Sequence, residues 1–237
     1  MITGTTRVCG IIADPVEHSM SPVMQNFYGE ATGRDLVYVP LKVAEDQVDA
    51  AVKGAYAMNF LGLNVTVPHK QRVIPCLKEI DKAAEAIGAV NTLVRIEGGF
   101  KGYNTDAAGL YRSMEEKGFQ IQGASAILLG AGGAAKAAAY VLMEHGAKTV
   151  HIFNRNEDRA RELAAYMNRL TGREMFYPGG LSSWKELPDR PYLCIQSTSV
   201  GMYPHGGDVL IGDREFYKKI QMAMDVVYTP VETRFMK

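Results

Sequence analysis

The stretch that most restricts how this chain can fold is Leu129-Gly130-Ala131-Gly132-Gly133-Ala134-Ala135. An apolar run at 124–130 leads into it, and an alanine-rich run with helical spacing at 134–145 leads out, ending at Gly146. A second apolar, β-branched run follows at 149–153. Strand, glycine turn, helix and strand within about thirty residues make the βαβ half of a dinucleotide-binding parallel sheet. Gly130 permits the tight turn, Gly132 lets the backbone approach a pyrophosphate, and Ala135 is small enough for close helix packing. Backbone N–H groups from Gly130, Ala131, Gly132, Gly133 and Ala134, with the helix N-terminus behind them, favour phosphate.

The end of the second strand sets which dinucleotide fits. An NAD enzyme would carry Asp or Glu there to hold the ribose 2′-hydroxyl. This chain has Asn154-Arg155-Asn156, with Arg159 one turn on. Arginine can clamp a 2′-phosphate, and the missing carboxylate removes a repulsion, so the pattern favours NADP. Asp158 lies nearby and leaves room for a modest use of NAD.

The first half alternates in the same way. Residues 8–13, 36–41 and 62–67 read as strands; 21–29, 47–58 and a segment beginning at 71–77 read as helical. Ser21-Pro22 reads as an N-cap followed by Pro at the first helical position. Residues 90–96 and 99–103 form a hairpin about Glu97-Gly98, and 106–117 has helical spacing. Further helix and strand patterns follow at 157–170, 192–196 and 222–227. The expected fold is α/β with two domains, an open α/β domain over 1–120 that ends in a linker helix, and a Rossmann domain over 121–237.

Lys70 and Asp106 stand just beyond expected strand ends, where side chains in such folds face a binding crevice. An ammonium can donate a proton to, or stabilise, the oxygen of a carbonyl receiving hydride, and Asp106 could orient it. Around them Ser19, Ser21, Thr66, Asn91 and Thr92 supply hydroxyls and amides suited to a small polyhydroxylated molecule. Twenty-six basic residues balance twenty-six acidic ones, so nothing favours nucleic acid or an anionic membrane surface. No apolar stretch approaches a membrane span, and the start lacks a signal peptide's plan. Cys9, Cys76 and Cys194 are scattered as in a cytoplasmic protein, and neither they nor the five histidines show metal spacing.

In order along the chain, the motifs His18-Ser19-Met20-Ser21-Pro22, Asn64-Val65-Thr66-Val67-Pro68-His69-Lys70, Ile87-Gly88-Ala89-Val90-Asn91-Thr92, Asn104-Thr105-Asp106, the glycine turn, Asn154-Arg155, Val200-Gly201-Met202 and Asp225-Val226-Val227-Tyr228-Thr229-Pro230 resemble the shikimate dehydrogenase family. The resemblance implies reversible reduction of 3-dehydroshikimate to shikimate with NADPH, in the route to chorismate and aromatic amino acids. It implies Lys70 and Asp106 as catalytic residues. Ser19, Ser21 and Tyr228 would hold the substrate carboxylate, Asn91 and Asp106 its ring hydroxyls, and Thr198 and Met202 would lie by the nicotinamide. Partners would be the small-molecule substrate and NADP, in a monomer or homodimer.

The chain departs from the family pattern at Ala135 and Lys136, where Ser and Arg are usual, and at Gln196, where Asn is common. Family members continue for several tens of residues past the counterpart of Lys237, with helices that return to the first domain and carry a substrate-binding glutamine. The expectation is therefore a Rossmann domain cut short, an exposed apolar patch on the first domain and weakened substrate binding. Two alternatives follow: a quinate/shikimate dehydrogenase with relaxed cofactor choice, or a ligand-binding fragment with impaired catalysis.

Overall fold

The structure, a computed structural model, describes residues 2–237. The chain divides into two compact units, Met1–Thr105 and Asp106–Lys237. The first carries β1 (Arg7–Ala13), α1 (Ser21–Ala31), β2 (Leu36–Lys42), α2 (Val48–Ala57), β3 (Gly62–Val65), β4 (Glu79–Ile80), α3 (Lys82–Ile87), β5 (Thr92–Ile96) and β6 (Gly99–Tyr103). Its sheet runs β2-β1-β3-β5-β6-β4. β1 pairs in parallel with β2 and β3; direction reverses between β3 and β5 and again between β5 and β6.

Successive strand residues face opposite sides of a sheet, and β1 uses this to feed two cores. Ile12 joins Leu63, Val65 and Leu93 beneath Val48, Val52 and Ala55 of α2. Ile11 and Ala13 turn the other way, to Val16 and Tyr38, on the side covered by α1. The outer surface of α1 leaves Val23, Met24, Phe27 and Tyr28 exposed.

The second unit holds α4 (Thr105–Glu116), which starts at the division, then β7 (Ser125–Leu129), α5 (Gly133–Glu144), β8 (Thr149–Phe153), α6 (Glu157–Thr171), β9 (Phe176–Gly179), β10 (Tyr192–Gln196), α7 (Arg214–Lys218) and β11 (Ile220–Asp225). Its sheet, β11-β10-β7-β8-β9, is parallel throughout. Connections leave β7 towards β8 and later return to β10 on its other side, so the order reverses beside β7. That reversal is the topological switch point at which doubly wound sheets bind ligands. Ala135, Ala137, Ala138, Ala139, Val141 and Leu142 of α5 are buried, so the helix lies close to the sheet. On the other face Ile127, Leu129, Phe153, Tyr192 and Cys194 meet Trp184, Ile211, Phe216 and Phe235.

Three local expectations need correction. Residues 71–77 form turns and one short 3-10 segment, Ile74–Cys76. Pro75 explains this, because its ring would collide with the carbonyl four residues back in a helix begun at 71. Ser21 is not the cap of α1; it is the first helical residue, and the cap position, Met20, makes no side-chain bond. Ser19 does that work instead, its Oγ accepting the Ser21 N–H at 3.3 Å. The last strand lies at Ile220–Asp225 rather than 222–227. Among the described residues no helix is long and apolar enough to cross a membrane.

His151, on β8, stacks on Tyr177 with ring centroids 5.5 Å apart and lies edge-on to Tyr192. Its Nε2 is buried with no hydrogen-bond partner among the described residues. Burial, then the nearby Arg190 charge, pushes its pKa down to about 4. The unfolded chain takes up a proton near pH 6.5 that the folded chain refuses until about 4, so this group costs stability as pH falls through that window. Thermal melts from pH 7.5 to 4.5 are expected to fall less steeply for His151→Phe than for the native chain. Parallel profiles for the two would refute the assignment.

Candidate functional site

In the first unit Asn91 and Thr92, two of the polar residues singled out by the sequence, join Asn64, Thr105 and Tyr38 in one hydrogen-bonded chain. Asn64 sits on β3 opposite Thr92 on β5, at the point where the sheet turns antiparallel. Its amide donates to Thr92 Oγ1 and to the Asn91 carbonyl, each at 3.3 Å. Thr92 Oγ1 donates to Asn91 Oδ1 at 2.9 Å. Asn91 Oδ1 also accepts the Thr105 N–H at 3.0 Å, and its amide donates to Thr105 Oγ1 at 2.9 Å. At the other end, the Tyr38 phenol on β2 donates to Asn64 Oδ1 at 2.7 Å and meets the Ser21 side chain. Burial pushes the Tyr38 pKa up, so the phenol stays a proton donor at neutral pH.

Tyr38 was not among the residues expected here. The only signal for it is its position in β2, facing the same side as Asn64 and Thr92, which requires the sheet order to be known. An open groove of about 320 Å³ runs along that side, lined by Tyr38, Asn64, Thr92, Cys9, Gln25 and Val94 among others.

Thr66 and Lys70 follow β3 on a turn fastened at both ends. The Thr66 N–H donates to the Ile12 carbonyl at 3.2 Å, and the Lys70 carbonyl accepts from the Val90 N–H at 2.8 Å. His69 between them is fully buried, with Nε2 2.8 Å from the Val43 carbonyl. Lys70 is half-buried. Asn104, also buried, donates to the Ala89 carbonyl at 3.0 Å.

In the second unit, Asp106 lies in the first turn of α4, where a carboxylate is favoured by the helix dipole. The glycine turn leaves β7 at Gly130, with φ +113°. A Cβ there would stand 2.8 Å from both the Ser197 hydroxyl and the Thr198 methyl, so fold and packing alone demand glycine. Gly132 and Gly133 are different. Neither has a positive φ, and a Cβ on either would meet nothing within 4 Å. What a side chain at these two positions would fill is the open space before the N-terminus of α5. Gly132 is the cap residue and offers no side-chain bond to the first amides. The geometry fits an anion brought close to bare backbone, with Ala131 and Ala134 beside it.

Asn154 and Asn156 shape the loop after β8. Asn154 Nδ2 donates to the Asn156 carbonyl at 2.8 Å, and Asn156 Oδ1 caps α6 by accepting the Arg159 N–H at 3.2 Å. Asp158 is engaged by Arg161 at 3.3 Å, along with Glu157. Arg155 lines a cavity of about 340 Å³ with Leu181, Val200, Asp208 and Arg234. Thr198 Oγ1 accepts the Val200 N–H at 3.1 Å; Met202 and Tyr228 are exposed, Tyr228 by 85%.

Residues 11–93 match the family described as the shikimate dehydrogenase substrate binding domain, and residues 113–175 match the shikimate / quinate 5-dehydrogenase family. The chain is 41% identical to a shikimate dehydrogenase (NADP(+)) of Desulforamulus reducens, over all of this chain and 82% of that one. It is similar in structure to a shikimate 5-dehydrogenase of Listeria monocytogenes solved with shikimate and NAD, with TM-score 0.90, 33% identity, and 99% of this chain and 83% of that chain covered. A shikimate dehydrogenase solved with NADP+ superposes with TM-score 0.86 at 35% identity, over 100% of this chain and 82% of that chain.

Replacing Tyr38 by Phe removes the donor to Asn64 Oδ1 together with the hydroxyl's contact to the Ser21 side chain. The orphaned acceptor is expected to cost about 1–2 kcal/mol of stability, read as a lower denaturant midpoint with unchanged slope. An unchanged midpoint would show that the Tyr38 hydroxyl contributes nothing net through either partner.

Proposed function

Since the chain belongs to the shikimate dehydrogenase family, we propose that it interconverts 3-dehydroshikimate and shikimate with NADP as the redox partner. The observation that carries the cofactor half of this reading is the pair Gly132 and Gly133, glycine where neither backbone nor neighbour requires it. Arg155, exposed beside the end of β8, is assigned the ribose 2′-phosphate, with Arg159 of the first turn of α6 as its companion. Asn154 and Asn156 hold that loop; Thr198 and Met202 are assigned to the nicotinamide side. The second unit is thus the cofactor half and the first unit the substrate half. The three cysteines are free thiols, consistent with a cytoplasmic setting.

NADPH supplies a hydride to the substrate carbonyl carbon. The protein's task is to fix the ring and handle the proton that follows to the carbonyl oxygen. Lys70 is assigned that proton: its backbone is tied to Val90, and an ammonium both stabilises developing oxyanion charge and donates. Asp106 is the second group assigned to catalysis, accepting from a substrate hydroxyl. Asn91 and Thr92 are held by each other and by Thr105 and Asn64, so they present hydroxyl and amide groups in fixed directions. Ser19, Ser21, Thr66 and Tyr228 are assigned to the substrate's carboxylate and remaining oxygens. In a chain with no net charge, local hydroxyls rather than a broad positive field would receive that carboxylate.

Shikimate-dependent reduction of NADP+, with quinate and NAD+ as comparisons, tests the reading directly. Lys70→Ala should leave the melting temperature and NADP+ affinity unchanged while lowering turnover by at least about a hundredfold. Near-normal turnover in that variant would remove Lys70 from the mechanism. Arg155→Ala should weaken NADP+ by about tenfold or more and leave NAD+ nearly untouched, because only the former has a 2′-phosphate to lose. The ratio of the two affinities is the quantity to follow, and a constant ratio would argue against NADP selection by Arg155.

A further inference from the structure

We propose that Gln196, Asp225 and Thr233 form a clasp that positions the two loops assigned to the nicotinamide side and to the substrate; the inference rests on the dehydrogenase reading above. Gln196 and Asp225 are the last residues of β10 and β11, and they are register partners across the parallel pair. Their side chains therefore leave the sheet on the same face at its C-terminal edge, beside the switch point.

Gln196 is almost wholly buried, yet it points at loop rather than core. Its Oε1 accepts the Thr198 N–H at 2.6 Å. Its Nε2 shares two hydrogens among the carbonyls of Thr198 and Val200, at 3.3 and 3.1 Å, and Asp225 Oδ1 at 3.2 Å. Both sides of the carboxamide are thus spent on the turn carrying Thr198 and leading to Met202. Asp225 does the same for the next loop. Oδ1 accepts the Val227 N–H at 2.9 Å, and Oδ2 accepts the hydroxyl of the buried Thr233 at 2.6 Å. Tyr228 lies inside the loop so closed.

The main chain joins the two loops again. The Val226 N–H donates to the Gln196 carbonyl and the Tyr203 N–H to the Thr229 carbonyl, both at 3.0 Å. Neither loop has regular structure, and Met202, Tyr203 and Tyr228 are all exposed, so apolar packing of those side chains does not hold them. The polar clasp does. Loops that carry function are placed by the rigid elements behind them, and here the placement passes through one carboxamide and one carboxylate. These residues are positioning groups and touch no reacting atom; they act through Thr198, Met202 and Tyr228.

The role separates from general stability by splitting the cofactor. Adenosine 2′,5′-bisphosphate carries the phosphate groups of the Arg155 side and lacks nicotinamide. Calorimetric titration of the native chain, Gln196→Leu, Thr233→Val and Thr233→Ser with this half and with NADP+ provides the measurement. Gln196→Leu and Thr233→Val should bind the half with native affinity and NADP+ roughly tenfold more weakly, while Thr233→Ser, which keeps the hydroxyl, should match the native chain on both. Native NADP+ affinity in a folded Gln196→Leu or Thr233→Val chain would overturn the proposal, as would equal weakening of both ligands. If Gln196→Leu fails to fold, the near-isosteric Thr233→Val decides alone. A native chain that bound neither ligand would instead overturn the cofactor reading on which the clasp depends.

Discussion

A buried amide has to be paired, and at Asn91 that requirement ties together the ends of β3, β5 and β6. The side chain is nearly enclosed and spends itself on Thr92 and Thr105. The main chain at the same residue donates to the Tyr103 carbonyl and accepts from Val65, joining the end of β6 to the end of β3. One residue therefore bonds to both neighbours of β5 just where the sheet changes direction. Loss of any partner would strand a polar group in a site too closed for water to repair cheaply. The positions of Thr92 and Asn64 follow from that pairing, and so does the direction in which their polar atoms face.

The second unit is organised by a different constraint, close approach. At the switch point the chain must leave β7 and clear the ends of β10, and Gly130 meets the Ser197 and Thr198 side chains too closely for any Cβ. That contact fixes where α5 begins. The buried alanines of α5 let the helix settle against the sheet, so its bare N-terminal amides lie just beyond the strand end. The anion site proposed here would be built from backbone alone, with no cationic side chain in the turn. Selectivity among anions then has to come from elsewhere, and Arg155 on the loop after β8, with Arg159 in the first turn of α6, can provide it.

Much of this was legible in the sequence, and the reasons differ by element. The βαβ unit about the glycine turn could be read because apolar runs, glycines and helical spacing all agree. The strand β9 was missed because Pro178 and Gly179 look like breakers. It is tolerated because β9 is the edge of its sheet, where a missing N–H costs no ladder bond. β4, of two residues, and α7, of five, are too short for any period to show. The helix expected from 71 failed at Pro75, a local rule that should have prevailed over the apolar spacing. Candidate residues within motifs, such as Asn91 and Thr92, could be named from sequence, but their partners could not. Tyr38 and Thr105 reach Asn64 and Asn91 through strand pairing, and Thr233 reaches Asp225 through loop closure, which no linear spacing records.

The two polar systems suggest how such a protein can discriminate without a strong field. Two of the residues proposed to touch a polyhydroxylated ligand, Asn91 and Thr92, are already hydrogen-bonded to each other and to Thr105 and Asn64 before any ligand arrives. A bound hydroxyl must then match a fixed set of directions, because rotating Thr92 or Asn91 to suit a different ligand would break bonds to Asn64 and Thr105. A ligand lacking one hydroxyl gains nothing from the empty position and leaves a protein group facing it unpaired. Discrimination of this kind depends on rigidity more than on the number of contacts. The same logic makes the loops after β10 and β11 informative, since exposed residues such as Met202 and Tyr228 can be selective only if something buried holds their backbone still. In this chain the groups proposed to do so are the buried Gln196 carboxamide and the half-buried Asp225 carboxylate at two neighbouring strand ends.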